Sequence, residues 1–286
     1  PAQKTQVVQK LRQRHALDIL LSIAQLPRAT FYYHLKQMRR ADKYEEAKTE
    51  IAVIYQENKG RYGYRRITTA LHNRGIHLNH KTVQKLMKES GLKCMVRMKK
   101  YRSYRGEVGK VAPNLLARDF RAERPNQKWV TDVTEFSLFG SKLYLSPVLD
   151  LYNGEIISYA ISERANYRQV DEMLDKAFSR LPDGSGLIFH SDQGWQYQNA
   201  RYQKRLLEKG IRQSMSRKGN CLDNAVMENF FGLLKSELFY LRTFQSLDEF
   251  CQELVAYLEY YNHNRIKEKL NGLSPVQYRI QNGFAA

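Results

Sequence analysis

Three acidic residues occur in sequence contexts that would suit chemistry on phosphate esters. Asp132 lies inside an apolar, strand-like run, and Asp192 ends a second one. Glu228 lies on a stretch with helical periodicity that is crowded by phenylalanine and leucine. Carboxylates gathered without basic partners repel one another, so a cluster of them is stable mainly when a cation fills it. Such hard oxygen ligands suit Mg²⁺ or Mn²⁺, and two ions could activate an attacking oxygen and stabilise a leaving oxygen in phosphoryl transfer.

Each of these carboxylates also has an ordinary structural interpretation. Asp132 could face solvent from a strand, Asp192 could be a turn residue, and Glu228 could be a solvated helix residue. Taken singly, the ordinary interpretation is the commoner one, and the apolar surroundings of Asp192 and Glu228 weigh against it. Three rival carboxylates remain, of which the first is the best substitute and otherwise a structural residue: Asp150, Glu155 and Asp183.

The elements that would position these residues begin near residue 125 and predict an α/β domain. Runs rich in Val, Ile, Leu, Tyr and Phe indicate five strands, at 128–138, 142–152, 155–163, 186–192 and 211–216. Helical periodicity indicates further elements at 167–181, at 199–209, around Glu228 and at 247–263. Three strands in a meander, followed by strands joined through helices, predict a mixed five-stranded sheet with helical layers over residues 125–286.

The N-terminal part of the chain is predicted to be helical. Residues 1–43 contain a helix at 11–26, a break at Pro27 and a helix at 29–38. This pattern is typical of a helix–turn–helix segment, and a plain helical hairpin fits it equally well.

A second helical domain is predicted at residues 44–93, also of the helix–turn–helix type. Its last helix would be capped by Asn79 and ended by Gly91. Residues 94–124 carry many charges without sustained periodicity, so we expect a basic linker there. The catalytic domain would then occupy residues 125–286.

The net charge of +18 comes entirely from the N-terminal part of the chain. Residues 1–124 hold 28 Lys and Arg against 10 Asp and Glu, whereas residues 125–286 hold 19 of each. Because these basic residues alternate with tyrosine on amphipathic helices, the pattern favours a DNA-binding surface over a merely solvated one. The candidate DNA contacts are Arg61, Tyr62, Arg65, Arg66, Lys81, Lys85 and, beside the carboxylates, Lys235. Some of them would only solvate a helix face.

Cysteine usage and the absence of long apolar runs predict the compartment. Cys94, Cys221 and Cys251 are widely spaced and form no CxxC, which indicates a reducing compartment and no structural zinc. The sequence has no secretory signal and no apolar stretch long enough for a membrane span. We therefore expect a cytoplasmic, nucleoid-associated protein.

The sequence motifs around the three carboxylates resemble those of a known family. Trp129-Val-Thr-Asp132-Val-Thr134 and His190-Ser-Asp192-Gln-Gly194 hold the aspartates, 35 residues separate Asp192 from Glu228, and Lys235 follows seven residues later. This pattern resembles the DDE signature of retroviral-integrase-like transposases. Together with Asp223-Asn-Ala225, it is similar to the second-frame (OrfB) part of bacterial insertion-sequence transposases of the IS-three type.

The resemblance implies a ribonuclease-H-like catalytic domain and metal-dependent DNA end cleavage and strand transfer. Asp132, Asp192 and Glu228 would carry Mg²⁺ or Mn²⁺, in two sites. Water would be the nucleophile for end cleavage and a 3′-hydroxyl the nucleophile for joining, without a covalent protein–DNA intermediate. The implied partners are double-stranded transposon-end and target DNA and further copies of this chain, in a dimer or a higher assembly.

Two features depart from the wider superfamily. The cluster His72, His77 and His80 has no cysteine pair beside it, so we expect no zinc module of the retroviral kind. No heptad run is visible either, whereas full-length relatives carry an upstream leucine zipper.

Two alternatives to a transposase stay open: a non-catalytic, DNA-binding second-frame product that needs its upstream region, and a ribonuclease-H-like nuclease acting on a hybrid or a junction.

Overall fold

The computed structural model describes residues 1–38, 42–96, 111–182 and 184–284. The chain forms two compact units, Pro1–Ala52 and Val53–Ala286. Residues 97–110 of the predicted linker and the rival carboxylate Asp183 lie outside the described residues.

The first unit is a small helical cluster. It contains α1 (Ala2–Leu11), α2 (Leu17–Ile23) and α3 (Arg28–Met38), and α4 (Glu45–Glu57) begins in it. The core side chains come from all three of the first helices and the turn before α3: Val8, Leu20, Leu21, Leu26, Phe31 and Leu35. The prediction of one continuous helix at 11–26 is wrong. Residues 12–15 are exposed and form a turn between α1 and α2.

A helix pair opens the described part of the second unit. α5 (Tyr64–Asn73) and α6 (His80–Glu89) bury Ile67 and Leu71 against Val83 and Leu86. As predicted, the Asn79 side chain caps α6, since its Oδ1 accepts the Lys81 N–H at 2.9 Å. The exposed face of α6 is basic.

The rest of the described part of this unit is built on a mixed sheet. Its strands are β1 (Lys128–Thr131), β2 (Thr134–Leu138), β3 (Ser141–Asp150), β4 (Ile156–Ser162), β5 (Ile188–Ser191) and β6 (Arg212–Met215). β3 pairs antiparallel with β4 on one edge and with β1 and β2 on the other. β1, β5 and β6 are parallel neighbours. Across the sheet the order is thus β4, β3, β1, β5 and β6.

The sheet has six strands where the sequence predicted five, because the first predicted strand is interrupted at Asp132. Its two pieces keep one register on β3, with Thr131 opposite Val148 and Thr134 opposite Leu145. That register places Pro147 opposite Asp132, and a proline has no N–H to donate to the ladder. The Val133 N–H instead donates to the Asp132 carboxylate at 2.7 Å.

Two helical layers cover the sheet. α7 (Tyr167–Phe178) and α8 (Ala200–Glu208) pack on one face, against Trp129, Val148 and Phe189. α9 (Ala225–Leu234) and α10 (Leu247–His263) pack on the other, against residues that include Val130, Phe136 and Leu145. A five-residue π-helix, Lys235–Phe239, follows α9, and α11 (Pro275–Gln281) is the last described helix. Among the described helices, none has the length and apolar character needed to cross a membrane.

Two neighbouring leucines on α8 test this layer arrangement. Leu206 is 1% exposed in the core and Leu207 is 79% exposed. Leu206→Ala should lower the free energy of unfolding by about 2–5 kcal/mol, because it removes a buried side chain and leaves a cavity. Leu207→Ala should change it by less than about 0.5 kcal/mol. Denaturant unfolding of both variants measures this, and equal effects would contradict the assigned face of α8.

Candidate active site

The first two predicted carboxylates lie side by side at the ends of neighbouring strands. β1 and β5 are parallel, with Trp129 opposite Phe189 and Val130 opposite His190. β1 ends immediately before Asp132, and β5 ends immediately before Asp192. The same register therefore brings Asp132 opposite Asp192, on adjacent strands whose usual spacing is about 4.8 Å.

The third carboxylate comes from the helix that covers this edge of the sheet. Side chains alternate along a strand, so Asp132 is on the face of Val130, which packs against α9 and α10. Asn224, at the start of α9, donates from Nδ2 to Asp132 Oδ2 at 3.1 Å. Glu228 lies four residues later on α9, one helical turn further along the same face. The structure thus brings all three predicted carboxylates to one edge.

Burial and the neighbouring negative charges at this edge disfavour the ionised form of the carboxylates. Burial raises the pKa of Asp132 well above its usual value, and the charges of Asp192 and Glu228 raise it further. Burial also raises the pKa of Asp192 and of Glu228. Few hydrogen bonds oppose this: the Val133 N–H and the Asn224 amide donate to Asp132, and the Gly194 N–H donates to Asp192 Oδ1 at 2.8 Å.

Lys235 is the one predicted basic residue near the carboxylates. Its ammonium group lies over the Phe136 ring, 5.4 Å from the ring centroid. Burial lowers the pKa of Lys235, while the charges of Glu135 and Asp132 raise it. The side chain is only partly buried, so its charge remains available at the rim of the site.

A buried histidine fixes the strand that carries Asp192. Ser214 Oγ accepts the N–H groups of Leu115 and Leu116 at 2.9 and 3.2 Å, so its own hydroxyl proton is left for His190 Nδ1, 2.8 Å away. His190 Nε2 must then carry the ring proton and donate to Ser216 Oγ at 3.1 Å. Burial lowers the pKa of His190 to about 4, consistent with this neutral ring.

A second buried group fixes the start of α9. Asp223 is inside the protein and accepts two hydrogen bonds from the Arg217 guanidinium, at 2.9 and 2.8 Å. Arg118 and Asn114 donate to the same carboxylate at 2.9 and 3.0 Å. These donors, Arg217 first, hold the pKa of Asp223 well below its usual range. The chain before β1 is thereby tied to the residue beside Asn224.

The roles of these supporting residues are not predictable from the sequence. His190, Asp223 and Asn224 lie in the motifs that carry the family resemblance, but their partners are distant in sequence. The Asn224–Asp132 bond joins residues 92 positions apart, and the His190–Ser214 bond joins residues 24 apart. Polar residues next to predicted carboxylates were the available signal. Asp150, the predicted substitute, is buried and accepts the Asn126 and Tyr152 N–H groups at 2.7 and 2.8 Å, so it is a structural residue.

The donor set fits a divalent cation. Two partly exposed carboxylates with few hydrogen-bond donors leave oxygen lone pairs free, and the buried Oδ1 of Asn224 beside them has no hydrogen-bond partner in the described structure. In the described ranges, no three Asp, Glu, His or Cys side chains are close enough together to enclose one ion. The arrangement is therefore a close aspartate pair with Glu228 further out.

Three of the predicted DNA contacts lie on the surface of the α5–α6 pair. Arg65, Lys81 and Lys85 are exposed, and Lys85 is 74% exposed with Glu89 3.7 Å away. Arg65 donates to the Tyr64 hydroxyl at 3.3 Å and otherwise faces solvent. These side chains are accessible to a phosphate backbone.

The other three predicted DNA contacts are used inside the protein, which corrects the expectation for Arg61 and Tyr62. Arg61 is 4% exposed and Tyr62 1% exposed. Arg61 Nε donates to the Glu237 carbonyl at 3.0 Å, and the Tyr62 hydroxyl accepts the Ile266 N–H at 2.9 Å. Arg66 is partly buried, 3.3 Å from the Glu237 carboxylate. Their hydrogen-bonding groups are therefore engaged within the chain.

Known domain families match most of this chain. Two models described as integrase core domain match residues 122–221 and 228–282, and one described as HTH-like domain matches residues 42–101. The sheet order, its two helical layers and these matches define an integrase-type catalytic core of the ribonuclease-H-like fold, preceded by an all-helical, helix–turn–helix-like region.

Individual relatives extend the match to nearly the whole chain. The putative transposase InsK for insertion sequence element IS150 of Escherichia coli K12 is 58% identical over 275 residues, covering 96% of this chain and 97% of that protein. The probable transposase for insertion sequence element IS1353 of Shigella flexneri is 38% identical, covering 97% of this chain and 54% of that protein. Among solved structures, the HTLV-2 integrase catalytic core domain in complex with magnesium covers 55% of this chain and 99% of its own, at 21% identity and a TM-score of 0.45.

The similarity to curated proteins fixes the family. This chain belongs to the insertion-sequence transposases of the IS-three type, and it corresponds to their second-frame (OrfB) part. The resemblance inferred from the DDE pattern is thereby confirmed. A transposase with an integrase core is a polynucleotidyl transferase, which also disfavours the non-catalytic alternative.

The paired aspartates generate a stability prediction. Asp192→Asn removes one of two negative charges that repel each other, and the new side chain can still accept the hydrogen bond from the Gly194 N–H. In EDTA the variant should unfold at the wild-type temperature or higher, by about 2–4 °C if the relief is on the order of 1 kcal/mol. Mg²⁺ should raise the unfolding temperature of the wild type, because it binds the folded state, and not that of the variant.

Thermal unfolding with and without MgCl₂ measures both effects, and Asp248→Asn, at an exposed aspartate, is the matched control. The control should respond to Mg²⁺ as the wild type does. An Asp192→Asn protein that is clearly less stable in EDTA, or that is still stabilised by Mg²⁺, would contradict the assignment of this aspartate as a metal ligand.

Proposed function

We propose that Asp132, Asp192 and Glu228 are the catalytic residues of this transposase and that they hold Mg²⁺ or Mn²⁺, in two sites. The observation that carries the proposal is the register of β1 and β5, which sets the two aspartates side by side beneath α9. When bound, the ions would activate the attacking oxygen and stabilise the leaving oxygen of a phosphodiester. The raised pKa of Asp132 supports this, because a cation would relieve the repulsion behind it.

The chain's own residues would orient the site. Asn224 and the Val133 N–H each bind one oxygen of Asp132, which fixes the plane of that carboxylate. The Gly194 N–H binds one oxygen of Asp192, and a Cβ at position 194 would approach that Oδ1 to 2.9 Å. Lys235, half-buried over Phe136, would bind a non-bridging oxygen of a DNA phosphate near the carboxylates.

The proposed reaction has two steps with balanced bonds. In end cleavage, a water oxygen bonds to phosphorus and the P–O bond to the neighbouring 3′ oxygen breaks, which leaves a free 3′-hydroxyl. In strand transfer, that 3′-hydroxyl bonds to a phosphorus of target DNA, and the target's own 3′ oxygen leaves. Neither step needs a nucleophilic side chain, so this mechanism assigns no covalent role to the many tyrosines of the chain.

DNA would be held by the exposed basic face of α5 and α6. Arg65, Lys81 and Lys85 would contact phosphates, which fixes position and adds salt-dependent affinity without reading base sequence. The proposed partners are double-stranded transposon-end and target DNA. Because strand transfer joins two ends to one target, we also propose that two or more copies of this chain act together, in the cytoplasm at the nucleoid.

The direct test is a gel assay with labelled transposon-end DNA in Mg²⁺, in Mn²⁺ and in EDTA. The wild type should nick or join the DNA in either metal and be inactive in EDTA. Glu228→Gln should lower the rate by at least about 100-fold, because it removes a charged metal ligand, and should bind DNA normally. Glu172→Gln, at an exposed helix glutamate, should retain the activity.

Two outcomes would count against the proposal. Full activity in Glu228→Gln would remove that residue from the site. Tight DNA binding by the wild type without metal-dependent chemistry would mean that this chain alone is a DNA-binding protein that needs a further region.

Two arginines of one segment give a test of the DNA contacts. Arg65→Ala should lower the slope of log K against log salt concentration by about 1, because it removes one phosphate contact. Arg61→Ala should leave the slope unchanged, since its guanidinium is buried on Tyr257 and Tyr260. Fluorescence anisotropy at several salt concentrations measures both slopes, and the reverse ranking would refute the assignment.

A further inference from the structure

We propose that the segment Gly60–Arg66 is a rigid joint that sets the distance between the α5–α6 pair and the carboxylate site, and thereby selects which phosphodiester is cut. From the sequence alone, the charged residues of this segment are predicted DNA contacts, whereas in the structure Arg61 and Tyr62 are buried within the same unit as the carboxylates. This inference rests on the proposed function, because it concerns where that reaction occurs on the DNA.

Arg61 is the first anchor of the joint. Its Nε donates to the carbonyl of Glu237 at 3.0 Å. Its guanidinium carbon lies 4.7 Å from the Tyr260 ring centroid and 5.2 Å from that of Tyr257, both on α10. A buried guanidinium that packs over two aromatic rings and donates to one carbonyl has little freedom to move. Arg61 therefore fixes the start of the helix pair on α10.

Tyr62 is the second anchor, at the end of α10. Its hydroxyl accepts the Ile266 N–H at 2.9 Å and donates to the Asn264 carbonyl at 3.3 Å. Both partners are backbone groups of the chain that follows α10. The phenol thus pairs with a buried backbone N–H and a partly buried carbonyl of a distant segment, and leaving the buried group unpaired would be costly.

Glu237 joins these anchors to the active-site helix. Its carboxylate accepts two hydrogen bonds from Arg265, at 2.8 and 2.7 Å, and one from the Tyr257 hydroxyl at 3.0 Å. Arg66 approaches the same carboxylate at 3.3 Å. A buried ion pair contributes little net stability because desolvation offsets its attraction, and its attested use is to specify one arrangement.

The far end of α5 is fixed as well. Asn73 donates from Nδ2 to the Gly272 carbonyl at 2.9 Å. A Cβ at Gly272 would lie 2.3 Å from the Thr69 side chain, so the loop approaches α5 as closely as a glycine allows. The helix pair is therefore held at both ends of α5, so it cannot pivot about one end alone.

These contacts relate the DNA-binding surface to the reacting site. Glu237 and Lys235 belong to the same five-residue π-helix, directly after the helix that carries Glu228. The exposed cations of α6 follow α5 within the same helix pair. The distance from these cations to the carboxylates is consequently set by folded contacts rather than by a flexible linker. DNA gripped by α6 would present one particular phosphate to the site.

Cleavage mapping at single-nucleotide resolution tests the joint. On end-labelled transposon-end DNA, the wild type should cut predominantly at one phosphodiester. Arg61→Ala and the milder Tyr62→Phe should each raise the fraction cut at neighbouring positions at least about tenfold, while DNA affinity stays within about twofold. Arg65→Ala, the matched control in the same segment, should weaken binding and leave the cut position unchanged. A single unchanged cut position in both Arg61→Ala and Tyr62→Phe would overturn the proposal.

Hydrogen exchange provides a readout that needs no catalysis. In Arg61→Ala and Tyr62→Phe, amides of α5 and α6 should exchange faster while those of β1, β3 and β5 keep wild-type protection. If the wild type cuts no DNA, the proposed function fails, and exchange still decides whether the joint exists. Unchanged exchange of α5 and α6 in both variants would refute the joint, whatever the cleavage assay gives.

Discussion

Two like charges held side by side are the constraint on which the rest of the catalytic unit depends. Asp132 and Asp192 follow the ends of two parallel strands in register, so the backbone ladder fixes their separation whether or not their repulsion is relieved. Burial and the charge of Asp192 both raise the pKa of Asp132, so the ionised pair is unfavourable in the bare protein. A fold that maximised its own stability would not keep this pair. The proposed cation explains why it is kept, because the same geometry that destabilises the bare protein favours a divalent ion.

The surrounding structure provides the rigidity that the aspartate pair requires. Apolar side chains fill both faces of the sheet, and neutral His190 and the Asp223–Arg217 pair fix the two segments next to the carboxylates. Around Glu237, the same principle extends to the helix pair α5–α6. Each of these buried polar groups has several partners, so none can turn away without leaving another group unsatisfied. The proposed catalytic site and the proposed DNA-binding surface are thereby parts of one unit.

The sequence predicted those features whose signals are local. Apolar runs that lead into Asp192, and helical periodicity around Glu228, gave the strands, the helix and the three carboxylates. The break in the first strand was not predicted, because it depends on Pro147 lying opposite Asp132 across a hairpin. The sequence wrongly predicts a DNA contact at Arg61, because an arginine in a basic segment has the same sequence signature whether it binds phosphate or a protein carbonyl. Its actual partner, Glu237, is 176 residues away.

The most direct test of the central claim is the position of bound manganese. Crystals of the wild-type protein soaked in MnCl₂ would be measured at the manganese absorption edge, and the anomalous map would be compared with that of Asp192→Asn crystals. We expect a peak between the carboxylates of Asp132 and Asp192 in the wild type and its loss in the variant. Manganese bound at other carboxylates, with no peak between these two, would contradict it.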